Sequence, residues 1–115
     1  MFICYVAGPY RGDIAKNVAA AREVQTALLN SGLAVICPHT MNSGLEACTL
    51  TDEEHIERLL EIVERVDALV VLPGWEDSEG TMAEIARAQE FAIPVYYWKD
   101  CPKPGDDLER WIRDC

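Results

Sequence analysis

The sequence predicts an α/β fold, a single flavodoxin- or Rossmann-like domain over residues 1–115 with an open parallel sheet of four to five strands. Three observations predict it. Short, β-branched apolar runs alternate with longer segments of helical periodicity, which is the pattern of a parallel sheet covered by helices on both faces. The strands are apolar nearly throughout rather than alternating, as in sheets buried on both sides. Turn residues sit at each junction: Gly8-Pro9, Asn30-Ser31-Gly32, Pro38 and Pro73-Gly74. Right-handed crossovers leave few topologies, and the expected strand order is 2-1-3-4.

Phe2–Ala7 reads as the first, central strand. Gly8-Pro9-Tyr10-Arg11-Gly12 ends it, and Asp13 caps a helix whose apolar stripe is Ile14, Val18, Ala21, Val24 and Leu28. Leu33–Cys37 is a second strand stopped by Pro38. His39–Leu50 shows no periodicity and reads as a loop over the crevice, a place where binding groups are common. Thr51-Asp52-Glu53-Glu54 is a capping box opening a helix to about Arg65, with Ile56, Leu59, Leu60 and Val63 inward. Ala68–Leu72 is the third strand and Ile93–Trp98 the fourth. Asp100–Asp107 is a turn-rich link to a short helix over Leu108–Arg113.

Half of the 115 residues are hydrophobic and 26% are charged, so the chain has the means to bury a core. Its net charge of −10 disfavours nucleic acid polymers and anionic membranes as partners. No apolar run approaches the length of a bilayer span, and Met1 leads straight into strand-like sequence, so a cytoplasmic location is expected. Five cysteines without a C-x-x-C pair, together with two histidines, do not suggest a metal site. Cys4 and Cys37 fall within strands and read as buried thiols. No dinucleotide fingerprint or phosphate-loop lysine motif is present, and no cofactor is expected.

The stretch Pro73–Ala88 (PGWEDSEGTMAEIARA) concentrates the candidate chemistry. Ser78, Gly80 and Thr81 open a helix beyond the carboxyl end of the third strand, where open α/β sheets bind ligands. Glu84 falls near the start of that helix, where the dipole is expected to keep it ionised at neutral pH. An ionised carboxylate beside such a crevice is a candidate nucleophile. Thr81-Met82-Ala83-Glu84 also fits a capping box, which would give Glu84 a purely structural role.

The stretches Tyr5-Val-Ala-Gly-Pro-Tyr-Arg-Gly12 and Ser78-Glu-Gly-Thr-Met-Ala-Glu84, at adjacent strand ends, resemble the nucleoside 2-deoxyribosyltransferase-like superfamily. That group includes transferases and nucleoside 5′-monophosphate N-glycosidases. The resemblance runs through Trp98 and implies Glu84 as the nucleophile that attacks the anomeric carbon, with Tyr5 orienting it. The implied substrate-binding set is Gly8, Tyr10, Arg11, Gly12, Ser78 and Gly80. Tyr10 would stack on the base, unless it is simply a turn residue, and Arg11 would approach a phosphate. Ser78 replaces the acid that holds a free 5′-hydroxyl in the transferases, which favours a monophosphate; Glu76, Asp77 and Glu79 oppose one electrostatically. Leu59 stands where the family usually has an aspartate that serves the leaving base, and Asp67 reads as a strand-entry residue. The resemblance thus implies a nucleoside 5′-monophosphate N-glycosidase, with a nucleoside 2-deoxyribosyltransferase or a non-catalytic nucleotide-binding module as alternatives. It also implies a homodimer or higher homo-oligomer, for which Trp98 and Trp111 are the candidate exposed anchors.

Overall fold

The computed structural model describes residues 1–42 and 47–98. Four strands, β1 (Ile3–Ala7), β2 (Ala34–Ile36), β3 (Ala68–Val71) and β4 (Val95–Tyr97), form one sheet in the order β2-β1-β3-β4. Every pairing is parallel, with Tyr5 of β1 opposite both Ile36 of β2 and Leu69 of β3. The expected α/β architecture and strand order are therefore observed. Each strand is shorter than the apolar run that predicts it.

Alternation along β1 divides the core in two. Cys4 and Val6 face α1 (Ile14–Asn30), packing with Ala21, Val24, Leu28, Leu33 and Leu72. Tyr5 and Ala7 face the opposite side, with Val63 of α3 (Asp52–Val63) and Ile85 and Ala88 of α4 (Glu79–Glu90). Burial pushes the Cys4 thiol up to about 12, with Asp67 adding to the effect, so it is an inert packing group. Asp67 accepts from the Ile3 amide at 2.8 Å and so fastens the start of β3 to β1, as its strand-entry reading anticipates.

Caps define the helices. Asp13 accepts from the Lys16 amide at 3.1 Å, and Thr51 with Glu54 completes the expected reciprocal capping box. Arg87 of α4 donates to Glu64 at 2.5 Å, tying α4 to the end of α3.

Three expectations need correction. His39–Met41, expected as the start of a loop, instead belong to a single helical turn, α2 (Pro38–Met41), with Pro38 in its first turn; four residues are too few to leave a periodic signature. Ile14 does not join the buried stripe of α1: it is the first residue of the helix and is exposed. Trp98 is half-buried against the α1-side core rather than exposed, so it is not a free anchor. The Asp100–Asp107 link, the Leu108–Arg113 helix and Trp111 lie outside the described residues. Among the described residues, no helix is long and apolar enough to cross a membrane.

The reversal of strand order falls between β1 and β3, so their carboxyl ends open the crevice. The Leu72 amide donates to the Ala7 carbonyl at 2.8 Å, bringing the turns after the two strands together. A Cβ at Gly8 would stand 2.5–2.8 Å from three side-chain atoms of Leu72. Gly8→Ala is therefore expected to destabilise the fold by ~1–3 kcal/mol, the usual cost of overpacking. Urea unfolding measures this, and a midpoint equal to wild type would show that the two turns yield freely.

Candidate active site

Two turns and three helices build the site. The first turn, Gly8–Gly12, is held at three points. The Asn17 side-chain amide of α1 donates to the carbonyls of Tyr10 (3.1 Å) and Arg11 (3.0 Å), and His39 Nε2 donates to the carbonyl of Pro9 (2.9 Å). The second turn, after β3, passes through Gly74 (φ +89°), where a Cβ would meet Pro9 at 3.5 Å, and a short 3₁₀ turn over Trp75–Asp77.

Ser78 is the N-cap of α4. Its Oγ accepts from the Thr81 amide at 3.3 Å and from the Thr81 hydroxyl at 2.8 Å, which leaves the Ser78 proton available to a ligand. Counting from Glu79, Glu84 is the sixth residue of α4. A capping box needs its glutamate at the third position, which Thr81 occupies, so the capping role is overturned. The expectation of a dipole-stabilised charge falls with it, because the dipole fades beyond the first turn.

Glu84 is buried at the floor of the crevice and accepts a hydrogen bond from the Tyr5 hydroxyl of β1. Burial raises its carboxyl from 4.5 to about 7, although the Tyr5 hydrogen bond works in the lowering direction. Tyr5, wholly enclosed behind Glu84, is shifted far upward by burial, with the Glu84 charge and hydrogen bond adding to it. It therefore remains a phenol and a permanent donor. The pair is a carboxylate near its titration midpoint at neutral pH, oriented by a group that does not titrate there.

The crevice encloses about 790 Å³, the scale of a small-molecule site. Of the residues expected to bind substrate, Gly8, Tyr10, Arg11, Ser78 and Gly80 line it together with Glu84. Gly12 does not: its φ of +95° makes it the residue that closes the turn in a left-handed conformation. Tyr5 acts from behind the wall. Tyr10 is half exposed and packs edge-on to His39, ring centroids 5.8 Å apart, so it combines a turn position with an open aromatic face. Arg11 reaches across the crevice to an ion pair with Asp52, the first residue of α3.

Several lining groups escaped the sequence reading: His39, Asn42, Asp52, Glu53 and Thr81. The Thr51 capping box is a partial signal for Asp52 and Glu53, because it places their backbone at a helix start beside the crevice. His39 is signalled only as the first residue of the segment expected to lie over the crevice; its short helix is unannounced. Leu59 lines the crevice as an apolar wall, and His55, one turn earlier on the same face of α3, lines it as well. His55 Nε2 lies 3.7 Å from Cys48 Sγ. Glu57 and Glu61 are not among the lining residues. Among the described residues, no group of three or more His, Cys, Asp and Glu side chains is placed to hold a metal ion.

This architecture is shared with solved structures of low sequence identity. A 2-deoxyribosyltransferase from the psychrotolerant bacterium Bacillus psychrosaccharolyticus superposes with a TM-score of 0.65 at 18% identity, over 83% of this chain and 70% of that one. A conserved protein from Enterococcus faecalis V583 superposes with a TM-score of 0.72 at 21% identity, over 96% and 71% of the respective chains. The fold is thus that of the nucleoside 2-deoxyribosyltransferase-like proteins. No curated protein sequence matches significantly. Residues 2–97 match one sequence family along their whole length, and the chain belongs to it: the family described as Domain of unknown function (DUF4406).

Proposed function

We propose that the crevice cleaves the N-glycosidic bond of a nucleoside 5′-monophosphate, with Glu84 as nucleophile. The observation that carries this reading is the buried Glu84 carboxylate on the crevice floor, fixed by the Tyr5 hydroxyl. A Glu84 oxygen attacks the anomeric carbon, and the C–N bonding pair leaves with the base, which takes up a proton. Water then opens the glycosyl ester, releasing the sugar phosphate and regenerating the carboxylate. His55 is the α3 side chain positioned to serve the leaving base, since it shares the crevice-facing side of the helix with Leu59. Tyr10 offers its open ring to the base. Arg11 and Ser78 both line the crevice, and together with the amino end of α4 they are the groups suited to receive the phosphate.

The Arg11–Asp52 pair makes a specific expectation. A phosphate must draw Arg11 away from Asp52, so Asp52→Asn is expected to tighten monophosphate binding, whereas Arg11→Ala weakens it about tenfold or more, the scale of a charge-assisted hydrogen bond. Calorimetric titration of both variants with a nucleoside monophosphate and the matching nucleoside checks this. Equal effects on the two ligands would remove the phosphate from the reading.

One observation favours a second reading. Among the described residues Asp52, Glu53, Asp77 and Glu79 line the crevice against Arg11, an electrostatic setting kinder to an uncharged nucleoside. A transferase acting on free nucleosides would use the same Glu84 chemistry, with a second base resolving the intermediate. A screen of nucleosides and their monophosphates for free-base release, with and without an added acceptor base, separates the two. Binding without release from any of them would make the protein a non-catalytic nucleotide-binding module.

A further inference from the structure

His39 carries a group that the glycosidic chemistry does not use. Its ring is buried, 7% exposed, and forms part of the crevice wall. Its Nε2 lies 2.9 Å from the Pro9 carbonyl, which only accepts, so Nε2 bears the proton. In the neutral ring Nδ1 is then a bare acceptor, and it is buried without a hydrogen-bond partner among the described residues. An unpaired buried acceptor is costly, and native proteins keep few of them without a purpose. Tyr10 packs edge-on against this ring while its own ring is half exposed to the crevice.

We propose that His39 Nδ1 is a specificity-determining acceptor that receives an N–H from the amino edge of the nucleobase once Tyr10 turns its face to stack on that base. This rests on the nucleotide reading above and narrows it to bases bearing an exocyclic amino group. The tautomer is set by Pro9, so the subsite accepts and does not donate. A base with a carbonyl at that edge would place lone pair against lone pair and be rejected. The arrangement also links recognition to the Gly8–Gly12 turn, because the same imidazole holds Pro9 and reads the ligand.

The test uses matched probes: adenosine 5′-monophosphate against purine riboside 5′-monophosphate, and cytidine 5′-monophosphate against its 4-deamino analogue. For one pair, wild type is expected to bind the amino member about tenfold more tightly, the value of one buried hydrogen bond with its unpaired alternative. His39→Gln puts an amide N–H at the place of Nε2, keeping the bond to Pro9, but offers nothing at the place of Nδ1. It should melt like wild type and bind both members of the pair equally. In ¹⁵N-labelled wild type, the His39 Nδ1 resonance should move upfield with the amino probe alone, a readout that stands even if the variant folds poorly. Unchanged discrimination in a folded His39→Gln protein, or a static Nδ1 resonance on saturation, would overturn the assignment while leaving the nucleotide reading intact. Failure of wild type to bind any of the four probes would overturn both.

Discussion

Glu84→Gln is expected to abolish turnover and, at the same time, to make the fold more stable at neutral and alkaline pH. The first effect follows from the proposed chemistry, since an amide oxygen does not form the glycosyl ester; losses on the order of 10⁴-fold or more accompany removal of a nucleophile. The second follows from burial. The carboxyl is raised from 4.5 to about 7, so between those values the folded protein holds a proton that the unfolded chain has released. The stability contributed by neutral Glu84 is complete below about pH 4.5 and is lost as pH rises through 7. The full difference is on the order of 3 kcal/mol, at ~1.4 kcal/mol for each pKa unit. Gln is neutral at every pH and still accepts from the Tyr5 hydroxyl, so the variant escapes this loss. Urea unfolding of both proteins at pH 5 and pH 8 measures it. Stability curves that run parallel would mean that Glu84 is not buried as a titrating group.

Tyr5→Phe is expected to move the pH dependence of the reaction rather than only its size. The nucleophile must be ionised, so kcat/KM should rise with pH through about 7 in the wild type. The Tyr5 hydroxyl is the one influence that lowers the Glu84 pKa, and it opposes a larger effect of burial. Without it the carboxyl moves further up, and the rising limb should shift alkaline by about one to two pH units, the equivalent of one hydrogen bond to a charged group. At pH 6 the variant should be nearly inactive, with partial recovery near pH 9. A profile of unchanged position and smaller amplitude would reduce Tyr5 to packing.

The Tyr5–Glu84 contact joins residues 79 positions apart, and the sequence announces its two halves unequally. The sheet was legible because burial on both faces forces continuous apolar runs, and because Asp13, Thr51 and Ser78 cap their helices with side chains that do little else as well. The position of Glu84 on the crevice was legible for the same reason. Its ionisation state was not. Local pattern suggested a first-turn, dipole-stabilised anion, whereas the actual start of α4 at Ser78 moves Glu84 into the second turn, where burial decides. Gly12 shows the converse error: glycine in a turn signals either close approach to a ligand or a left-handed backbone, and only the φ angle tells which. His39 and Asp52 reach the crevice through tertiary placement of α2 and α3, of which the sequence carries only partial signs, the aperiodic segment from His39 and the Thr51 capping box. Trp98 illustrates why an aromatic near the end of a sheet is not thereby exposed: the sheet needs cover at its edge, and Trp98 supplies it against the α1-side core.

The covalent role of Glu84 is tested most directly by trapping. A 2-deoxy-2-fluoroarabinosyl nucleoside monophosphate carries an electron-withdrawing substituent next to the anomeric carbon, which disfavours the oxocarbenium-like transition state and slows release of a glycosyl ester. Incubation with the protein, followed by intact-mass and peptide mass spectrometry, should show one equivalent of free base and one fluoroglycosyl adduct, mapped to Glu84. Base release with no adduct at Glu84, together with undiminished turnover in Glu84→Gln, would contradict the account at its centre.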